Sequence, residues 1–274
     1  MPDDPLAGFE CFEYTQDGVT RPVFHDGVGP GVIVIHEVPG LHPEAIAFGR
    51  RVVDAGFTVY MPSLFGTPGK PFGWGYTLRA FPQVCIAREF TTMATDRTSP
   101  ITTWLRALAA TAHDDCGGPG VGAVGMCFTG GFALGMMVDD RMLAPVLSQP
   151  SLPFPVGKRR RSSVGISDND LARVKERAAR GACVLGLRFT ADPAVPPARF
   201  ETLRRELGDA FIAVEIDSSR GNPDAIPRWA HSVLTLDLVD DPGHPTRAAL
   251  EQVLDFLRGR LLAGSADTGQ AGHR

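Results

Sequence analysis

A cysteine stands where a nucleophile can be turned out of a buried strand. In Val121-Gly-Ala-Val-Gly-Met-Cys-Phe-Thr-Gly-Gly131 an apolar run ends at Gly125, helical pattern starts at about Phe128, and Cys127 occupies the turn between them. A strand-to-helix turn of this kind, written G-x-S-x-G when the nucleophile is serine, exposes the reactive atom at the carboxyl end of the strand. The following helix aims its first N–H groups and the positive end of its dipole at the site, which favours thiolate over thiol. The pattern is not strict. Thr129 stands where a glycine is expected, and Gly130 or Gly131 is expected to restore close packing one residue later. Taken alone, the segment also fits a glycine-rich turn around an inert thiol. A dinucleotide site is disfavoured, because no G-x-G-x-x-G is present.

Three further segments supply what a thiol nucleophile needs. His36-Glu-Val-Pro-Gly-Leu41 follows the apolar run Gly31–Ile35. In enzymes built round such a turn, the loop after that strand gives one oxyanion-binding N–H and the residue after the nucleophile gives the other. Pro39 has no N–H to give, so Val38 is the expected donor, with Phe128 as its partner. Asp192 lies just past the end of the run Cys183–Phe189, where the acid of an order nucleophile, acid, histidine belongs. An Asp before Pro is also a common turn starter. The base must follow the acid and precede the last helix, which leaves His231 and His244. Position alone does not choose between them. Trp229 can wall a pocket beside His231. His244 sits between prolines ahead of Thr246, an expected helix N-cap.

The elements that must carry these residues alternate in type. Phe9–Tyr14 and Arg21–His25 flank a Gln-Asp-Gly turn and predict an antiparallel hairpin. Continuous apolar runs predict buried parallel strands at 31–35, 57–61, 121–125, 143–147, 183–189 and 211–216. Helical patterns lie between them at 43–55, up to about 112, 128–138, 168–179 and 196–207, and a last helix spans 246–262. Alternation of this kind implies an α/β fold with a mostly parallel sheet covered on both faces. No linker divides the chain, so one domain is expected over 1–262, with a small, polar, disordered tail at 263–274.

Composition narrows the partners. A net charge of −4 and 21% charged residues do not suit nucleic acid or an anionic membrane as the main partner. The basic run Lys158–Arg161 reads as a solvated face. The acidic start has no signal-peptide core and no apolar run reaches the ~20 residues of a membrane span, so a cytoplasmic location is expected. The five cysteines form no C-x-x-C pair, and all but Cys127 read as small hydrophobes.

HEVPGL (36–41), CIAREF (85–90), GAVGMCFTGG (122–131), LRFTADPAVPP (187–197) and AHSVLT (230–235) occur in this order. Together they resemble the dienelactone hydrolase family. The resemblance implies an α/β-hydrolase fold, a small ester or lactone as substrate, and no cofactor or metal. It implies Cys127 as nucleophile, Asp192 as orienting acid and His231 as base, with Glu37 beside the resting thiol. Arg88 is a candidate for holding a substrate carboxylate. The same residues also allow a non-hydrolytic relative, a ligand-binding or redox-responsive thiol protein.

Overall fold

The computed structural model describes residues 4–78, 90 and 95–262. Its centre is one eight-stranded sheet: β1 (Glu10–Gln16), β2 (Val19–Asp26), β3 (Gly31–Ile35), β4 (Thr58–Pro62), β5 (Val121–Met126), β6 (Met142–Ser148), β7 (Val184–Phe189) and β8 (Phe211–Ile216). The strand order is β1-β2-β4-β3-β5-β6-β7-β8. β1 and β2 form the hairpin, closed by Asp17 and Gly18, both at positive φ. That pair of conformations is the two-residue turn whose twist matches a hairpin. β2 also runs antiparallel to β4, and every other pairing is parallel.

The apolar runs become strands because both faces of the sheet are covered. Every residue of β3, β5 and β7 is buried. On one face lie α2 (Pro100–Cys116), α3 (Phe132–Met136), α5 (Asp168–Ala179) and α6 (Pro197–Leu207), bringing Trp104, Leu105, Leu134, Val174 and Phe200 into one core. On the other face α1 (Pro43–Asp54) and α7 (Pro245–Leu261) bring Phe48, Val52, Val253, Leu257 and Leu261. The basic run lies in a short helix, α4 (Lys158–Ser162), where Arg159 pairs with Asp96. Among the described residues no helix is long and apolar enough to cross a membrane.

Two details differ from the sequence pattern. The helix expected over 128–138 is a 3-10 turn, Cys127–Thr129, followed by α3. The expected N-cap Thr246 lies inside the first turn of α7, and His244 is the cap. CIAREF up to residue 89, Arg88 and the tail 263–274 lie outside the described residues.

Parallel strands put their following loops on one edge of the sheet, where α/β proteins place their sites. The loops after β3, β5, β6, β7 and β8 carry Glu37, Cys127, Ser151, Asp192 and His231.

Candidate active site

Cys127 has φ 53°. A non-glycine residue in this left-handed region costs on the order of 1–3 kcal/mol and is kept only where its surroundings fix it. Here they do. Gly130 N–H and Ser151 N–H both donate to the Cys127 carbonyl, at 3.0 and 2.9 Å. A Cβ on Gly125 would stand 2.4 Å from the Thr129 carbonyl oxygen, and one on Gly130 would stand 2.6 Å from Pro150 Cα. Gly130 therefore supplies the close packing, whereas Gly131 has nothing nearer than 3.5 Å. The close approach to Pro150 is also where the expected long helix breaks. Thr129 has its own task. Its buried hydroxyl donates toward Ile35 O at 2.9 Å and accepts from Met126 N–H at 3.0 Å. It ties the turn to the end of β3, a bond glycine could not make.

His231 lies between an acid and the thiol. Its Nδ1–H donates to Asp192 Oδ2 at 2.6 Å, and Cys127 acts on the ring electrostatically. Asp192 is buried, and its other oxygen accepts from Ala194 N–H at 2.8 Å. The His231 side chain keeps 24% of its surface exposed. Burial works against the charged ring, but Cys127 and Asp192 outweigh it and hold the imidazole well above the ordinary histidine value. The loop bearing His231 is fixed by Asp237, whose carboxylate accepts from the N–H groups of His231 and Ser232 at 2.8 Å each.

His244 is elsewhere in its chemistry. Its Nδ1 faces Thr246 Oγ1 at 2.7 Å and Thr246 N–H at 3.3 Å, the pattern of a helix cap. Trp229 is 80% exposed, so its ring is mostly in solvent and walls no dry pocket.

Glu37 is buried and turned toward the His231 loop. Its two oxygens accept from Ser232 Oγ at 2.8 Å, from Thr235 Oγ1, and from His42 Nε2 and Gln149 Nε2, each at 3.3 Å. Burial alone would raise its pKa, yet His42 and Thr235 hold the carboxyl below the usual carboxylate range. The structure commits the Glu37 carboxylate to these four donors. The reason is local: Ser232 and Thr235 face it from the His231 loop, and His42 from the start of α1.

His42 Nδ1 lies 2.9 Å from Glu44 Oε2 and 3.4 Å from Ala45 N–H. One nitrogen cannot donate and accept at once, and the shorter contact decides for donation. Burial disfavours its charge, but Glu37 and Glu44 together raise its pKa. His36 is the reverse case. Its Nδ1 faces the Glu37 carbonyl at 3.0 Å, so it must donate, and its Nε2 accepts from Leu64 N–H at 3.0 Å. Burial lowers its pKa to about 4, and the ring is neutral. Val38 follows in a turn closed by Gly40 N–H to Glu37 O at 2.9 Å, and Phe128 is the middle residue of the 3-10 turn.

Sequence reasoning passed over Ser151, Gln149, His42 and Arg199. Arg199 is buried and donates to the carbonyls of Pro150 and Pro153, at 2.5 and 2.6 Å, fixing the loop beneath Cys127. Burial lowers it to about 10 against the pull of Asp192. Ser232 and Thr235 were within reach of sequence reasoning, since AHSVLT contains both.

The sequence profile of the dienelactone hydrolase family matches residues 20–225. This chain belongs to that family. The match includes Cys127 and Asp192 and stops short of His231. No curated protein matches this dienelactone hydrolase family member in sequence. Among solved structures it is similar to the α/β hydrolase GrgF from Penicillium sp. sh18, at 13% identity, a TM-score of 0.61, and coverage of 93% of this chain and 99% of that one. It is also similar to a dienelactone hydrolase-like promiscuous phosphotriesterase from metagenomic libraries, at 18% identity, a TM-score of 0.58 and coverage of 92% and 98%. A third is Est1E from Butyrivibrio proteoclasticus, at 14% identity, a TM-score of 0.58 and coverage of 91% and 98%. At these identities the likeness shows the fold, the α/β-hydrolase fold, and the family makes the protein dienelactone hydrolase-like.

Proposed function

We propose that this family member is a cysteine-dependent hydrolase of a small ester or lactone, acting through an acyl-enzyme. The observation that carries the reading is the His231 ring, bonded to Asp192 at 2.6 Å and with its charged form favoured by Cys127, the residue on the strained turn. Nucleophile, base and orienting acid in this relation are the arrangement of acyl-transfer enzymes on several unrelated folds.

The steps follow from the groups present. The proton shared by sulfur and ring sits on His231 as Cys127 Sγ attacks the carbonyl carbon. The N–H groups of Val38 and Phe128 hold the oxyanion that forms. Asp192 keeps the proton on Nδ1 and stabilises the charged ring. As the intermediate collapses, the C–O bond breaks and His231 gives its proton to the leaving alkoxide. A thioester remains on Cys127. His231 then takes a proton from water, the hydroxide attacks the thioester, and the acid is released with the thiol restored. Next to Cys127 in the chain, the Phe128 ring packs with Phe65 and Phe154, at centroid distances of 5.7 and 6.3 Å.

An activated aryl ester tests the proposal. The expected result is a burst of phenol, one per active chain, followed by slower turnover, with Cys127→Ala folded but at least about 10⁴-fold slower. A folded Cys127→Ala variant with full activity would reject the nucleophile. The absence of both burst and turnover on a range of esters and lactones would return the chain to the reading of a non-hydrolytic thiol protein.

A further inference from the structure

Cys127 has a second polar neighbour that takes no part in the steps above. The Ser151 hydroxyl lies 3.6 Å from Cys127 Sγ, within the range of a sulfur hydrogen bond. Ser151 is buried, at 3% exposure. Its position relative to the sulfur is fixed by the backbone, because Ser151 N–H donates to the Cys127 carbonyl at 2.9 Å. The segment carrying it is held from below by Arg199 at Pro150 and Pro153, and from the side by Gly130 against Pro150. The Ser151 backbone therefore cannot drift away from the turn, and only rotation about its χ1 can take the hydroxyl from the thiol.

A serine hydroxyl has one proton to give and two lone pairs to accept with. A neutral thiol is a weak partner in either sense, whereas an ionised sulfur is a strong acceptor. We propose that Ser151 is a positioning residue, whose hydroxyl donates to the ionised Cys127 sulfur and holds it in the rotamer that faces His231. The proposal rests on the reading of Cys127 as the reactive thiol, but not on ester cleavage.

Two effects follow with opposite signs. The donated hydrogen bond keeps the sulfur ionised to lower pH. It also shares the charge, and a stabilised thiolate is a weaker nucleophile at full ionisation. Removing the hydroxyl should slow reaction at low pH and leave it equal or faster at high pH. A side chain that only fills space would instead change the rate by the same factor at every pH.

Alkylation by iodoacetamide, read at the Cys127 peptide by mass spectrometry from pH 5 to 9, separates these outcomes. In Ser151→Ala the midpoint of the rate profile should move up by about one pH unit, the scale of one charge-assisted hydrogen bond. Alkylation at pH 6 should slow by up to about 10-fold, with the high-pH plateau unchanged or raised. Ser151→Thr, which keeps the hydroxyl, should return the midpoint toward the wild-type value. An unmoved midpoint in Ser151→Ala overturns the proposal, as does a uniform fall in rate at all pH values or a Thr variant that behaves like Ala. A shifted midpoint in a chain that cleaves no ester would keep the role of Ser151 and reject the hydrolase.

Discussion

Two loops on the same edge of the sheet carry histidines, and the protein treats their rings in opposite ways. After β3, His36 and His42 are enclosed, and every ring nitrogen is committed to a partner inside the protein. His36 is neutral and wedged between Glu37 O and Leu64 N–H, and His42 is charged between two carboxylates. After β8, His231 keeps a quarter of its surface, with one nitrogen locked to Asp192 and Cys127 favouring its charged form. A ring whose two partners are a fixed carboxylate and a group that can itself ionise can pass a proton. A ring whose partners are backbone amides or permanent charges holds structure. Glu37 joins the loops, taking His42 from one and Ser232 and Thr235 from the other.

The sharpest way to break this contrast is to remove the ring assigned to proton transfer. His231→Ala should lose about 10²- to 10⁴-fold in turnover, the range for a general acid–base group. His244→Ala, which removes a helix cap, should lose far less activity and about 1 kcal/mol of stability. Steady-state assays on one ester decide, and the reverse order would move the base to His244.

The bridge between the loops gives the next effect. Glu37→Gln leaves His42 without its buried counter-charge and points an amide N–H at groups that donate. It should cost about 3–5 kcal/mol in urea denaturation, as for other broken buried pairs. If Glu37 instead lay against the thiol, the substitution would speed alkylation of Cys127 with little loss of stability.

The smallest effect comes from His36, whose pKa is lowered to about 4. Between pH 6.5 and 4 the unfolded chain binds a proton there that the folded chain does not. Stability is therefore fully present above the unfolded value and is lost as pH falls. At pH 5.5 this residue should account for on the order of 1 kcal/mol of the loss. Denaturation of His36→Gln at pH 7 and 5.5 should show a correspondingly shallower pH dependence. An equal slope in both proteins would mean that His36 is protonated in the folded state.

How much of this was legible in the sequence follows from the range of each interaction. Val-Ile-Val-Ile over 32–35 and the run 121–126 announce buried strands because burial on both faces demands apolar residues at every position. Asp17-Gly18 announces its turn because few residue pairs accept positive φ in succession. Order along the chain narrowed the base to two histidines. It did not choose between them, because both belong to one connection and the choice depends on which ring meets Asp192, 39 residues away. The bonding of Glu37 was hidden for the same reason. Its partners Ser232 and Thr235 lie 195 and 198 residues along the chain, and no local pattern records that a buried carboxylate will find them. Residue type and period fix what a segment must bury, so the strands, the turn and the position of Cys127 were determined by sequence alone. Hydrogen bonds between loops depend on where the sheet delivers their ends, so tertiary structure alone decided that His231 meets Asp192, that His244 caps a helix, and that Ser151 lies against the thiol.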